Sequence, residues 1–237
     1  MLPSNYKIFE MNQSVKNLEN AHQAFRVGRL SDAEEICREI LGNDEQCAGA
    51  WHLMGKMAAL QSDLEAAGEF SSAACDLDPQ NAEFTRDFSE VFLRKKELEP
   101  AEQHARRALE LLPESPEGIV LLARILAEKE EKSAALEAFQ EAVRIRKDYA
   151  EGFSYYALAL QKFGRGKDAI SQIRKACALE PDSVEYQTNL AILLEQNARY
   201  MDSLAAYGKA GRMNPDVGFV WFRQGKLLNG LKRYAES

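Results

Sequence analysis

No run of apolar residues in this chain approaches the roughly 20 that a bilayer-spanning helix needs. Its start, MLPSNYKIFEMNQ, also lacks the apolar stretch of a secretory signal. The expectation is a chain without a membrane span, working in the cytoplasm. Cysteine is scarce. Cys37, Cys47, Cys75 and Cys177 form no CxxC pair and have no histidine at metal-ligand spacing, which argues against a zinc site or a redox motif. They read as reduced, small, mostly buried residues. Positive charge is in deficit, with 30 Lys and Arg against 37 Asp and Glu and a net charge of -7. That balance argues against a nucleic-acid partner, whose phosphates are held by clustered Lys and Arg. What is present, 46% hydrophobic and 28% charged residues, is an ordinary globular composition, and 237 residues suffice for a substantial core.

Catalytic groups are equally thin. His22, His52 and His104 fall far apart, and none has a Ser or Cys and a carboxylate arranged as a triad, so they read as surface histidines. The segment FGRGKDA, residues 163 to 169, holds a Gly-Lys pair, but a phosphate-binding loop needs a glycine where Gln161 stands and a hydroxyl where Asp168 stands. Gly164 and Gly166 are better read as a turn between helices. No catalytic residue, cofactor or metal is expected within this chain.

The chain does repeat itself, with a period of 34 residues. Ala21, Gly55, Ser89, Ala123, Ala157, Ala191 and Gly225 form one column of small residues. Ala33, Ala67, Ala101, Ala135, Ala169, Ser203 and Ser237 form a second. A third holds Ala74, Ala108, Ala142, Ala176 and Ala210, with Ile40 at its head. Pro79, Pro113, Pro181 and Pro215 form a fourth, interrupted by Lys147. Each unit carries two segments with apolar residues at helical spacing, such as Leu121, Leu122, Ile125 and Leu126 followed by Leu136, Phe139, Val143 and Ile145. Two antiparallel helices per unit follow. The small columns let neighbouring helices approach, and proline stops the second helix.

These columns, with Trp51, Phe153 and Trp221 at an aromatic position, resemble the tetratricopeptide repeat family. The resemblance covers residues 14 to 237, with full repeats beginning at Ser14, Ala48, Ala82, Pro116, Ala150 and Val184 and a partial seventh at Gly218. Residues 1 to 13 are left as an extension, partly helical or disordered. The resemblance implies an all-α, right-handed solenoid of stacked helix pairs whose concave groove, lined by first helices, binds a peptide or helix of a partner protein. It also leaves open a second role, the recruiting arm of a larger enzyme such as a glycosyltransferase or sulfotransferase with its catalytic domain beyond residue 237.

In that family, groove contacts come from recurring positions of each first helix. Those positions hold a run of glutamates, Glu83, Glu117, Glu151 and Glu185, which first-turn acidic preference explains as readily as a basic ligand. They also hold a basic group, His52, Lys56, Arg86, Arg94 and Arg124, suited to an acidic segment unless Asp87 and Glu90 neutralise it. Ser154, Tyr155, Leu158, Gln161, Asn189 and Ile192 make a milder surface, suited to peptide backbone and apolar side chains. The family's carboxylate clamp for chaperone tails is not expected, because Asn189 and Arg223 match it while Ser154, Leu158 and Phe219 do not. Trp221, Leu227, Leu228 and Leu231 mark a terminal edge with a turn and a second helix starting in KRYAES. That edge reads as a cut through a repeat, or else as an exposed face that favours self-association or a partner helix.

Overall fold

A computed structural model describes residues 16–235, with side chains described as far as residue 231. The extension expected over residues 1 to 13 lies outside the described residues. Thirteen α-helices and no strand occur among the described residues. The described residues through Pro113 form one compact unit and those from Glu114 a second. The first unit holds α1 (16–26), α2 (Leu30–Asn43), α3 (Ala48–Leu60), α4 (Leu64–Leu77), α5 (Ala82–Lys95) and α6 (Leu98–Leu111). The second holds α7 (Pro116–Glu128), α8 (Lys132–Ile145), α9 (Ala150–Lys162), α10 (Gly166–Leu179), α11 (Val184–Gln196), α12 (Tyr200–Met213) and α13 (Gly218–Ala235). Within each unit the sizeable contacts run between a helix and its sequence neighbour or the next but one, the arrangement of an α-solenoid.

Local chemistry fixes where the helices start and stop. Asn81, Ser115 and Ser183 cap α5, α7 and α11 by accepting backbone N–H bonds in the first turn, and Pro116 follows its cap where a missing N–H is harmless. Pro79, Pro113, Pro181 and Pro215 each lie two residues past the end of a second helix.

Each first helix from α1 to α11 ends on a left-handed residue: Gly28, Ser62, Lys96, Glu130, Gly164 or Ala198. The next residue then donates its N–H back to a carbonyl in the last helical turn, as Asp63 does to Ala58 and Arg199 to Leu194. Gly164 is thus the turn expected of it, while Gly166 opens α10. Among the described residues the turn expected in KRYAES does not form, because α13 continues through Ala235.

The small columns sit at the helix crossings. Ala33, Ala67, Ala101, Ala135, Ala169 and Ser203 are fully buried, as are Ala21, Ser89, Ala123, Ala157 and Ala191. Two serines in these columns bind across the pair, Ser89 Oγ donating to the Ala101 carbonyl at 2.7 Å and Ser203 Oγ to Ala191 at 2.8 Å. At Gly55 the paired helix comes close: a Cβ there would lie 2.9 Å from Ser71 Oγ.

Candidate functional site

The groove positions expected from the sequence lie on the first helices. In the first unit α3 and α5 lie side by side, and their residues meet at a spacing of one repeat plus one. His52 on α3 meets Asp87 on α5 with Nε2 2.9 Å from Oδ2. Arg86 Nε and NH2 donate to the other oxygen of Asp87 at 3.0 and 2.7 Å. Lys56 Nζ stands 3.5 Å from both Asp87 and Glu83.

Burial opposes ionisation of Asp87. The His52 hydrogen bond and the charges of Arg86 and Lys56 outweigh it and hold the carboxyl at about 2. An ionised carboxylate only accepts, so His52 carries its proton on Nε2. The three basic residues therefore converge as the sequence groups them, but around an acid. They form a closed, near-neutral network with Glu83 and Asp87.

The histidines differ from the sequence expectation of surface positions. His52 is only 4% exposed, its ring 4.4 Å from that of Phe84. His104 packs on Phe88 and Phe92, with centroids at 4.7 and 5.3 Å. Burial lowers the pKa of His104, and burial followed by the charge of its neighbours lowers that of His22. A flat aromatic ring fits between α5 and its neighbours as readily as a phenylalanine does, which outweighs its polarity.

His52, Glu83 and Asp87 place one ligand atom each within 4.8 Å, a spacing a divalent ion can use. Lys56 and Arg86 already balance the two carboxylates there, so an added ion would bring uncompensated positive charge. The donor set fits an internal ion network better than a metal centre.

Arg94 serves a different purpose. Its NH1 donates to the Ala59 carbonyl at 2.6 Å, closing the C-terminus of α3 one repeat earlier. Lys162, two repeats on, does the same for α7 by donating to Ala127 at 2.7 Å. Cations at helix C-termini satisfy orphan carbonyls and the macrodipole together. Sequence reasoning missed this device, whose signal is the 35-residue offset shared by both bonds and by His52 to Asp87.

In the second unit α7, α9 and α11 form the corresponding face. The Arg124 guanidinium lies 4.4 Å above the Tyr155 ring. Leu158 is exposed on α9, with Tyr155 and Gln161 half-buried on the same helix and Asn189 and Ile192 half-buried on α11. Asn189 Nδ2 reaches Ser154 Oγ only at 3.4 Å, again at the 35-residue offset, and Asn197 donates to Gln161 Oε1 at 2.9 Å. Ser154 itself is buried beneath them. At α13, Trp221 and Leu228 are exposed while Leu227 and Leu231 are half-buried. No helix among the described residues is long and apolar enough to cross a membrane.

The tetratricopeptide repeat family matches the sequence over residues 18–82 and again over 116–149. None of the curated proteins matches the chain. Among solved structures, the fold is similar to the Cut9 and Hcn1 hetero-tetramer of the APC/C, with TM-score 0.78 and 15% identity over 91% of this chain. The chain spans only 42% of that relative's length. It is also similar to TTC0263, a TPR protein of Thermus thermophilus, with TM-score 0.69 and 22% identity over 77% of this chain and 99% of the other. YrrB, described as a TPR protein with an unusual peptide-binding site, gives TM-score 0.52 and 19% identity over 80% and 97%. Helix pairs at a 34-residue period, small residues buried where those helices cross and two separate family matches lead to one conclusion: residues 18–82 and 116–149 are tetratricopeptide repeats, in a chain that shares the fold of tetratricopeptide-repeat structures.

Proposed function

We propose that the chain is a protein-interaction scaffold, without catalysis of its own, that holds an extended peptide or helical segment of a partner against the first helices of its second unit. The observation that carries this reading is the surface around Leu158. Leu158 is exposed on α9 between Tyr155 and Gln161 of the same helix, and α11 carries Asn189 and Ile192, half-buried, one period on from Tyr155 and Leu158. Such a surface offers an exposed apolar contact for a side chain and amides for a peptide backbone. The first-unit network is less suited, since an acidic ligand would have to displace Asp87 and Glu83 from Arg86 and Lys56. YrrB, a protein of similar fold described as having an unusual peptide-binding site, supports this class of ligand.

The test is a peptide array probed with the whole chain, followed by titration of the best binder. Leu158→Asp is expected to weaken that binder at least tenfold, about 1.4 kcal/mol, with the circular dichroism melt unchanged because the side chain is exposed. Asn189→Ala should weaken it less. Binding that survives Leu158→Asp but is lost in Arg86→Glu would overturn the assignment in favour of the first-unit cations.

A further inference from the structure

We infer that the exposed face of α10 and α12 binds an acidic segment of another protein, one with an apolar side chain that packs on Met201. Lys167, Arg174 and Lys175 stand exposed on α10, and Lys209 and Arg212 on α12. Helical spacing puts Lys167 and Arg174 on one side of α10, and Met201, Lys209 and Arg212 on one side of α12. The two helices approach here: Lys209 is near enough to Cys177 of α10 for its charge to lower a thiol pKa that burial raises. None of the five cations forms an ion pair among the described residues. Lys175 reaches only the neutral Gln172, at 3.1 Å, and the Phe153 ring. The carboxylates of these helices, Asp168 and Asp202, are held instead by Arg165 and Arg199 at 2.8 Å.

Earlier second helices carry cations in the same columns but pair them with carboxylates. Arg38 on α2 pairs with Glu34 and Arg106 on α6 with Glu102, each at 2.7 Å. Arg174 holds the same column, and the position four before it is Ile170, which is buried. Arg107 pairs with Glu110 at 3.0 Å, where α10 has Lys175 and Ala178. Glu141 pairs with Arg144 on α8 at 2.6 Å, and two periods later the same two positions hold Lys209 and Arg212. Like charges three residues apart repel, so an internal pair has become a site of repulsion. The columns are open on earlier second helices too, since Arg38, Arg106, Arg107 and Arg144 are exposed and further pairs follow each of them.

An anion set among these cations relieves that repulsion and gains charge-assisted hydrogen bonds. The charge of the chain limits what brings it. At a net charge of -7, a bilayer or a nucleic acid would set its many phosphates against the acidic remainder of the chain as well. A short acidic segment meets this face alone, because salt screens each charge within about 8–10 Å. Met201 narrows the choice further. It is 74% exposed in a column where earlier repeats carry Ser31, Glu65, Glu99, Ser133 and Lys167. A pliable thioether on an otherwise polar column suits an apolar side chain of a protein partner and has no use in gripping phosphate.

The test follows the fluorescence anisotropy of a capped, dye-labelled peptide of repeated Glu-Glu-Leu as the whole chain is added at low salt, about 50 mM. Saturable binding is expected, weakening as salt rises. Lys209→Glu restores the pairing seen on α8, so the melt should hold or rise while affinity falls at least tenfold. Arg106→Glu makes the same change in net charge at a paired cation and should leave binding unchanged. Met201→Ser, the residue type of Ser133, should weaken this peptide several-fold but leave the binding of a peptide of glutamate alone as it was. Leu158→Asp should leave binding intact, which separates this face from the peptide-binding surface of α9. No saturable binding up to roughly 1 mM, unchanged affinity in Lys209→Glu, or equal loss in Lys209→Glu and Arg106→Glu overturns the inference. So does tighter binding to phosphatidylserine vesicles or to single-stranded DNA than to the peptide, or self-association in sedimentation that Lys209→Glu abolishes.

Discussion

Asp87 accepts from His52 on one oxygen and from Arg86 on the other, and this single carboxylate organises the α3 and α5 face of the first unit. Its folded pKa of about 2 lies below the unfolded carboxylate value near 3.9. The stabilisation is therefore full above the unfolded value and is lost as pH falls through the folded one, a contribution on the order of 2 kcal/mol. Asp87→Asn should lower urea-unfolding stability by about that amount at pH 7 and by little near pH 2, where the wild-type group is already about half protonated. The histidines act earlier in an acid titration. His104 has its folded pKa lowered by burial against Phe88 and Phe92, so the unfolded chain binds its proton more readily. Stability should fall as pH drops below about 6.5, the unfolded value. His104→Leu should flatten that part of a melting-temperature profile between pH 7 and pH 5. Both effects hinge on contacts at an offset of 35 residues or between paired helices. The sequence offers Asp87 as an acid that neutralises this basic group, but not that it engages His52 and Lys56 from one repeat away.

At the scale of the helix pair, the six turns after the first helices share one backbone conformation but not one residue type. Gly28 and Gly164 adopt it without strain, while Ser62, Lys96, Glu130 and Ala198 hold a left-handed conformation that disfavours a Cβ. Ala198→Gly should raise stability by about 1 kcal/mol and Gly164→Ala should lower it similarly, both read from the urea midpoint. Pairs and small columns were legible because Ala, Gly, Ser and Pro recur every 34 residues and each has a steric reason to do so. The turn column was not legible, since the closing backbone bonds, such as Arg199 N–H to the Leu194 carbonyl, accept any residue at modest strain. The cross-repeat caps made by Arg94 and Lys162 escaped notice for a related reason: long cations look solvated in sequence, and only their reach to Ala59 and Ala127 shows otherwise. Gln161 and Asn189 were legible as a surface, but their separate bonds to Asn197 and Ser154 were not.

For the molecule as a whole, sizeable contacts that run to the next helix or the next but one within a unit make stability a sum of local terms. Ala169 lies at the crossing of α9 and α10 with no exposed surface, where a larger side chain has no room. Ala169→Leu should cost about 1–3 kcal/mol by overpacking. In a chain of this kind the loss stays near its origin, because a strained pair disturbs the pairs it touches and little else. Hydrogen exchange should therefore show protection falling in α9, α10 and their neighbours α8 and α11, with α3, α4 and α5 exchanging as in the wild type. Ala67→Leu, at the same column in the first unit, should reverse the pattern, with α3 to α5 exposed and α9 to α11 protected. Equal loss of protection in every helix for either variant would mean that the repeats unfold as a single cooperative body, and the nearest-neighbour account would fail.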